Sequence, residues 1–282
     1  MPSKAVALAL STHPGPTIAV TLITAVLGIA AEVEPARLAL LTAAVLANQV
    51  SVGWSNDWID AARDRSVGRT DKPVARGDIS AKAVRNAAII SALLAIALTL
   101  PLGAAATVTH TVFIISAWLY NAGLKNTAAS VVPYIVSFGL LPLVVTASRA
   151  EPAAAAWWAM AAGACLGVAA HFANVLPDLD DDKATGVSGL PHRMGRTPSG
   201  ITTYLFLMAA SCCVVFGAGA TSGAVSTIGW VGLVISGIVA ATGIILVLTR
   251  EPSRLLFQLI IVGAIVNVTL LAFAGNQLVL TV

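Results

Sequence analysis

Between Asn56 and Arg85 the chain gathers five carboxylates, Asp57, Asp60, Asp64, Asp71 and Asp78. Seven cations accompany them: Arg63, Arg65, Arg69, Lys72, Arg76, Lys82 and Arg85. On a helix, Asp57, Asp60 and Asp64 fall at i, i+3 and i+7, so with Asn56 they share one stripe. Asp178 and Asp182 repeat the i, i+4 spacing within Asp178-Leu179-Asp180-Asp181-Asp182. Like charges at that spacing repel unless a cation sits among them. Hard divalent cations take oxygen ligands, and Mg²⁺ typically combines one or two carboxylates with substrate phosphates. Two such stripes facing each other would hold two Mg²⁺ ions, and the ions would hold a diphosphate.

A lone Asp pair in a loop is ordinarily a helix cap or a solvated acid. Here both clusters directly end apolar runs, and both are followed by basic residues. Arg63, Lys72, Arg76, Lys125, Lys183 and Arg193 are suited to the phosphate oxygens that metals leave free. Cations also collect in such loops through the positive-inside bias alone. Lys125 is the most informative, as the only charge in its short loop.

These clusters must be positioned by a chain that is 57% hydrophobic and 10% charged, with mean hydropathy +0.88. Soluble domains carry about 25% charge, so the composition is that of an integral membrane protein. No basic stripe extends beyond the loops already named, which argues against nucleic-acid binding. Cys165, Cys212 and Cys213 lie in apolar runs without metal-type spacing and read as core residues. The apolar run after Lys4 is too short for a signal-peptide core and is broken by Ser11 to Pro14, so an interfacial N-terminal segment is expected.

Nine stretches are long and apolar enough to cross a bilayer: residues 16–34, 38–56, 83–101, 105–122, 128–147, 154–174, 200–219, 225–248 and 255–274. Nine spans put 14 of the 16 Lys and Arg on one side, leaving Arg37 and Arg149 on the other. The Lys/Arg excess marks the cytoplasmic side, which places the N-terminus and both acidic clusters there. The expected fold is therefore an all-α membrane bundle of about nine helices, one domain over residues 1–282.

Asn56-Asp57-x-x-Asp60-x-x-x-Asp64 resembles the first aspartate-rich signature of the UbiA superfamily of intramembrane prenyltransferases. Lys72-Pro73-Val74-Ala75-Arg76-Gly77-Asp78-Ile79-Ser80 is similar to the segment that follows it there. Tyr120 to Lys125 resembles the family's Tyr-x-x-x-Lys region, with one residue more. Asp178-x-x-x-Asp182, Lys183, Gly186 and Leu190-Pro191-x-Arg193-Met194-Gly195 resemble the second signature and its tail. Lys72 stands where the family commonly has Arg, and Asn174-Val175 replaces its usual pair upstream of the second motif.

The resemblance implies Mg²⁺-dependent transfer of a prenyl group from a polyprenyl diphosphate to a hydrophobic small-molecule acceptor, aromatic and quinone-precursor-like or from another lipid pathway, with release of diphosphate, in the bacterial cell membrane. It implies Asp57, Asp60, Asp64, Asp178 and Asp182 as metal ligands and catalytic residues. Asn56, Lys72, Arg76, Lys125, Lys183 and Arg193 would bind diphosphate. An allylic cation needs shelter from water and the faces of aromatic rings, for which Trp54, Trp58, Tyr120, Tyr134, Phe138 and Phe172 are the candidates and Tyr120 and Phe138 the preferred ones. His171 and Asn174, on the inner third of the sixth span, could orient or deprotonate an acceptor or simply join two helices. Two rivals remain open: a membrane terpene cyclase using the same motifs, and a transporter, which would place its polar site near the midplane.

Overall fold

The structure, a computed structural model, describes residues 3–177, 179, 186–250 and 254–280. Among them no strand forms. The helices in chain order are α1 (Lys4–Leu10), α2 (Pro14–Ala30), α3 (Pro35–Ile59), α4 (Ala61–Ser66), α5 (Pro73–Arg76), α6 (Ala81–Thr99) and α7 (Ala104–Ala122). They continue with α8 (Val132–Ala147), α9 (Trp157–Val175), α10 (Leu190–Met194), α11 (Arg196–Ser222), α12 (Thr227–Thr249) and α13 (Arg254–Ala274). Each of the nine expected spans coincides with one long helix. Six of these are long and apolar enough to cross a membrane, or seven if α1 and α2, bent by 62° at Ser11 to His13, count as one span. The other two depart for visible reasons. α8 has 16 residues with Pro142 inside it, and α7 carries His110 and Asn121 within its 19.

Local chemistry sets the helix ends. Proline occupies the first turn of α2, α3, α5 and α8, where its missing N–H costs nothing. Ser80 and Ser226 cap α6 and α12 by accepting from Ala83 N–H and Gly229 N–H. The spans then pack in sequence around a ring: α2 on α3, α3 on α6 and α7, α7 on α8, α8 on α9, and α9 on α11. The ring continues through α12 and α13, and α13 returns to α2. Leu41, Phe113, Leu141, Trp158, Val214 and Leu271 fill the centre. Ile90, Leu93, Ile238, Ile245, Ile265 and Phe273 face outward, as a lipid-facing surface requires.

Two close approaches matter for the site. A Cβ on Gly163 would lie 2.3 Å from the Phe138 carbonyl oxygen, and one on Gly167 would lie 2.3 Å from that of Tyr134. Glycine at both positions therefore lets α8 and α9 meet backbone to backbone, the small-residue packing of membrane helices, and brings Tyr134 beside His171. At Gly53 a Cβ would lie 2.3 Å from the Thr12 carbonyl oxygen. That contact seats the elbow between α1 and α2 against α3, one turn before Asp57. At the opposite end of the bundle, Arg37 donates to the carbonyls of Ser148 (2.7 Å) and Leu102 (2.6 Å), and Arg149 to that of Ala31 (2.9 Å). These two cations hold the far loops together.

Candidate active site

The helix of the first acidic motif runs to Ile59 and resumes at Ala61, with Asp60 at the junction in helical conformation. Asp60 N–H donates to Asn56 O at 3.0 Å and Asp64 N–H to Asp60 O at 2.9 Å, so the expected helical stripe forms with only a slight break. Burial follows: Asp57 is 2% exposed, Asp60 6% and Asp64 3%. Buried carboxylates need partners, and three cations supply them. Lys72 Nζ lies 3.3 Å from Asp57 and 2.9 Å from Asp64. Lys125 Nζ donates to both oxygens of Asp60 at 2.6 Å. Arg63 reaches Asp60 at 3.0 Å and Asp64 at 3.6 Å.

The two lysines differ in how their burial is offset. Burial opposes the Lys72 charge, but Asp57 and Asp64 outweigh it and hold the ammonium above its ordinary pKa. For Lys125 burial wins over Asp60 and pulls the pKa below the ordinary value. At the rim, hydrogen bonds from Arg69 hold Asp71 down to about 2, against a smaller opposing effect of burial.

Asp60 and Lys125 open onto a cavity of about 440 Å³. Asn56, Arg63 and Lys72 complete its acidic and basic wall, and Tyr120, Tyr134, His171 and Asn174 form an aromatic wall. Tyr120 meets Tyr134 edge to face at 5.2 Å, and His171 lies 4.9 Å from Tyr134 and 5.8 Å from Tyr120. Asn174 donates to the Tyr134 hydroxyl at 3.4 Å. The structure therefore brings Asn56, Lys72, Lys125, Tyr120, His171 and Asn174 to one space with the first motif.

Three expected residues sit elsewhere. Arg76 pairs with Asp78 at 2.6 Å and donates to Thr70 O at 2.6 Å, outside the cavity lining. Arg193 donates to Ser188 O at 2.8 Å and is exposed, while its neighbour His192 turns inward to line the cavity. Phe138 stacks on the far side of Tyr134 at 6.1 Å and 8°, one helical turn behind the lining ring. Asp178, Asp182 and Lys183 lie outside the described residues.

Other residues join the site without a sequence signal. His13 Nε2 lies 3.0 Å from Asp57 Oδ1, on the elbow seated against Gly53. Its backbone is left-handed, with φ 53°, a region that histidine enters more readily than most non-glycine residues. Asn121 donates to Ser55 Oγ (2.7 Å) and Val52 O (2.9 Å) and accepts from Asn56 (3.3 Å), fixing α7 to the motif. Ser130 Oγ lies 3.0 Å from His171 Nε2.

The donor set suits a hard cation, because carboxylate oxygens are what Mg²⁺ takes. Among the described residues no three His, Cys, Asp or Glu side chains converge on one metal position; instead each carboxylate of the first motif faces an ammonium or guanidinium.

The fold and the cavity together define a multi-pass integral membrane protein with a polar site at one end of its helical bundle. The sequence matches the UbiA prenyltransferase family over residues 16–277, and the chain belongs to that family. A 4-hydroxybenzoate octaprenyltransferase of Shewanella woodyi is 27% identical over 177 residues, 62% of this chain and 62% of that protein. The match thus spans less than two thirds of that relative. The structure of a UbiA homolog from Archaeoglobus fulgidus bound to GPP and Mg²⁺ superposes with a TM-score of 0.71 at 14% identity, covering 96% of this chain and 99% of the other. The apo structure of a UbiA homolog from Aeropyrum pernix gives 0.69 at 18% identity, covering 90% and 96%. At these identities the likeness is one of fold.

Proposed function

We propose that the protein transfers a prenyl group from a polyprenyl diphosphate to an aromatic acceptor of the quinone-precursor kind, releasing diphosphate in an Mg²⁺-dependent reaction. One observation carries this reading: a single cavity has the buried carboxylate of Asp60 with Lys72 and Lys125 on one wall and two tyrosines on the other. The family, the 4-hydroxybenzoate relative and the GPP- and Mg²⁺-bound neighbour point the same way. The reading includes a single domain over residues 1–282, a bacterial cell membrane, and a site on the cytoplasmic face.

Each residue has a defined task in this proposal. Asp57, Asp60 and Asp64, with Asp178 and Asp182 of the second motif, would hold two Mg²⁺ ions. Bound Mg²⁺ neutralises charge on the departing diphosphate. Lys72 and Lys125, supported by Asn56 and Arg63, exchange an Asp partner for phosphate oxygens as the diphosphate arrives. Lys183 adds to phosphate binding in this proposal, whereas Arg76 and Arg193, engaged with Asp78 and Ser188 outside the cavity lining, are left out of it. The allylic C–O bond breaks and its electron pair leaves on the diphosphate. Tyr120 and Tyr134 present their faces to the cationic carbon, with Phe138 stacked behind Tyr134. The acceptor's carbon supplies the new bond's electrons and then loses its proton.

The test is incubation of the reconstituted protein with labelled geranyl diphosphate, with and without 4-hydroxybenzoate, read by mass spectrometry. Prenylated aromatic product only when acceptor is present is the expected result. A cyclic hydrocarbon formed without acceptor would replace this reading with that of a terpene cyclase.

A further inference from the structure

His171 is 1% exposed and lines the cavity between the two tyrosines, yet its Nδ1 finds no partner among the described residues. Its Nε2 lies 3.0 Å from Ser130 Oγ. Ser130 is itself fully buried, and its Oγ already accepts the Leu190 N–H at 2.8 Å. A serine hydroxyl has one proton to donate. Buried here, that proton has His171 Nε2 as the acceptor within reach, so Ser130 donates and Nε2 accepts. A neutral imidazole whose Nε2 accepts carries its own proton on Nδ1. The result is a buried N–H donor with no acceptor among the described residues, on a side chain that lines the cavity and whose Nδ1 is itself closed to water. Such a group costs free energy unless a ligand satisfies it.

We propose that His171 recognises the acceptor by donating Nδ1–H to an oxygen carried on its ring, and that Ser130 is the positioning residue that fixes this tautomer. The proposal rests on the transferase reading and narrows it. The acceptor is an aromatic ring bearing a hydroxyl, carbonyl or carboxylate oxygen, held against Tyr120 and Tyr134 with that oxygen toward His171. It also chooses between the two catalytic roles open to His171, orienting the acceptor or deprotonating it. With Nε2 accepting and Nδ1 donating, the imidazole has no free lone pair for a general base, so it orients the acceptor and the acceptor's proton leaves by another route. Leu190 N–H couples this tautomer to the start of α10, because Ser130 Oγ bridges both. Gly189 permits the bridge: a Cβ there would lie 2.5 Å from Lys125 O and 3.0 Å from Ser130 Oγ.

The test has two arms. In the kinetic arm, His171→Phe raises the acceptor KM about tenfold, the scale of one lost hydrogen bond, while the donor KM stays within about twofold. His171→Asn, whose amide N–H sits near the Nδ1 position, restores much of the loss, and His171→Gln does not. Ser130→Ala raises the acceptor KM and Ser130→Thr rescues it. Equal rises in both KM values, or a loss confined to kcat at unchanged acceptor KM, would overturn the proposal. In the spectroscopic arm, ¹⁵N-histidine-labelled wild-type protein is compared with a His171 variant to assign its signal. A proton on Nδ1 is expected, and one on Nε2 overturns the proposal whether or not any variant folds. If no aromatic acceptor is turned over while Nδ1 is protonated, the transferase reading fails and the tautomer assignment stands.

Discussion

Asp60→Asn is expected to lower prenyl transfer by about 10²- to 10³-fold, the scale of removing one preorganised contact to developing charge, and to leave the protein folded. Asp60 differs from its two neighbours in lining the cavity while Asp57 and Asp64 are buried behind Lys72. The substitution is isosteric and keeps an oxygen for Lys125, which now contacts both carboxylate oxygens at 2.6 Å. The ammonium therefore keeps a hydrogen-bond acceptor but loses its buried counter-charge. Melting in detergent should fall by a few degrees while diphosphate release collapses. Near wild-type turnover in a folded Asp60→Asn protein would remove Asp60 from the metal set.

The second large effect is on stability. Lys72→Met removes the ammonium shared by Asp57 and Asp64, which are 2% and 3% exposed. Breaking a buried ion pair from one side costs about 3–5 kcal/mol. His13 at 3.0 Å from Asp57 and Arg63 at 3.6 Å from Asp64 keep part of the compensation, so a loss of about 2–3 kcal/mol is expected in metal-free protein. A divalent cation can occupy the place the ammonium left. Millimolar Mg²⁺ should therefore raise the melting temperature of Lys72→Met more than that of the wild type, because in the wild type it must displace Lys72. Equal Mg²⁺ shifts in the two proteins would show that the lysine and the metal do not compete for these carboxylates.

Much of this was legible in the sequence, and the reasons are specific. Each expected span falls on a long helix among the described residues, six or seven of them apolar and long enough to cross a membrane, because a lipid-facing helix must be apolar over most of its surface. The i, i+3, i+7 spacing placed the three aspartates on one stripe, since helical geometry alone decides that. Arg76 was placed with the phosphate binders, yet Gly77, left-handed at φ 82°, folds the chain so that Asp78 takes it. Tyr134 and Phe138 are four apart and share a helix face, but which of them reaches the cavity depends on how deeply α8 sits against Gly163 and Gly167. His13 and Ser130 were not found, because their partners lie 44 and 41 residues away along the chain. Only the closed ring of helices brings such pairs together.

The acceptor side was the least legible for the same reason. Tyr120, Ser130, Tyr134 and His171 come from three separate helices and the turn between two of them. None of their spacings along the chain marks a site. The acidic side is different, because its chemistry is compressed into nine consecutive residues, Asn56 to Asp64.

The central claim is that these carboxylates work through a divalent cation on a prenyl diphosphate. It is tested most directly by diphosphate release from geranyl diphosphate with acceptor present, in the reconstituted wild-type protein, before and after EDTA and again after added Mg²⁺. Release that stops with EDTA and returns with Mg²⁺ is the predicted result. Release that continues undiminished in EDTA, with the protein still folded, would contradict it.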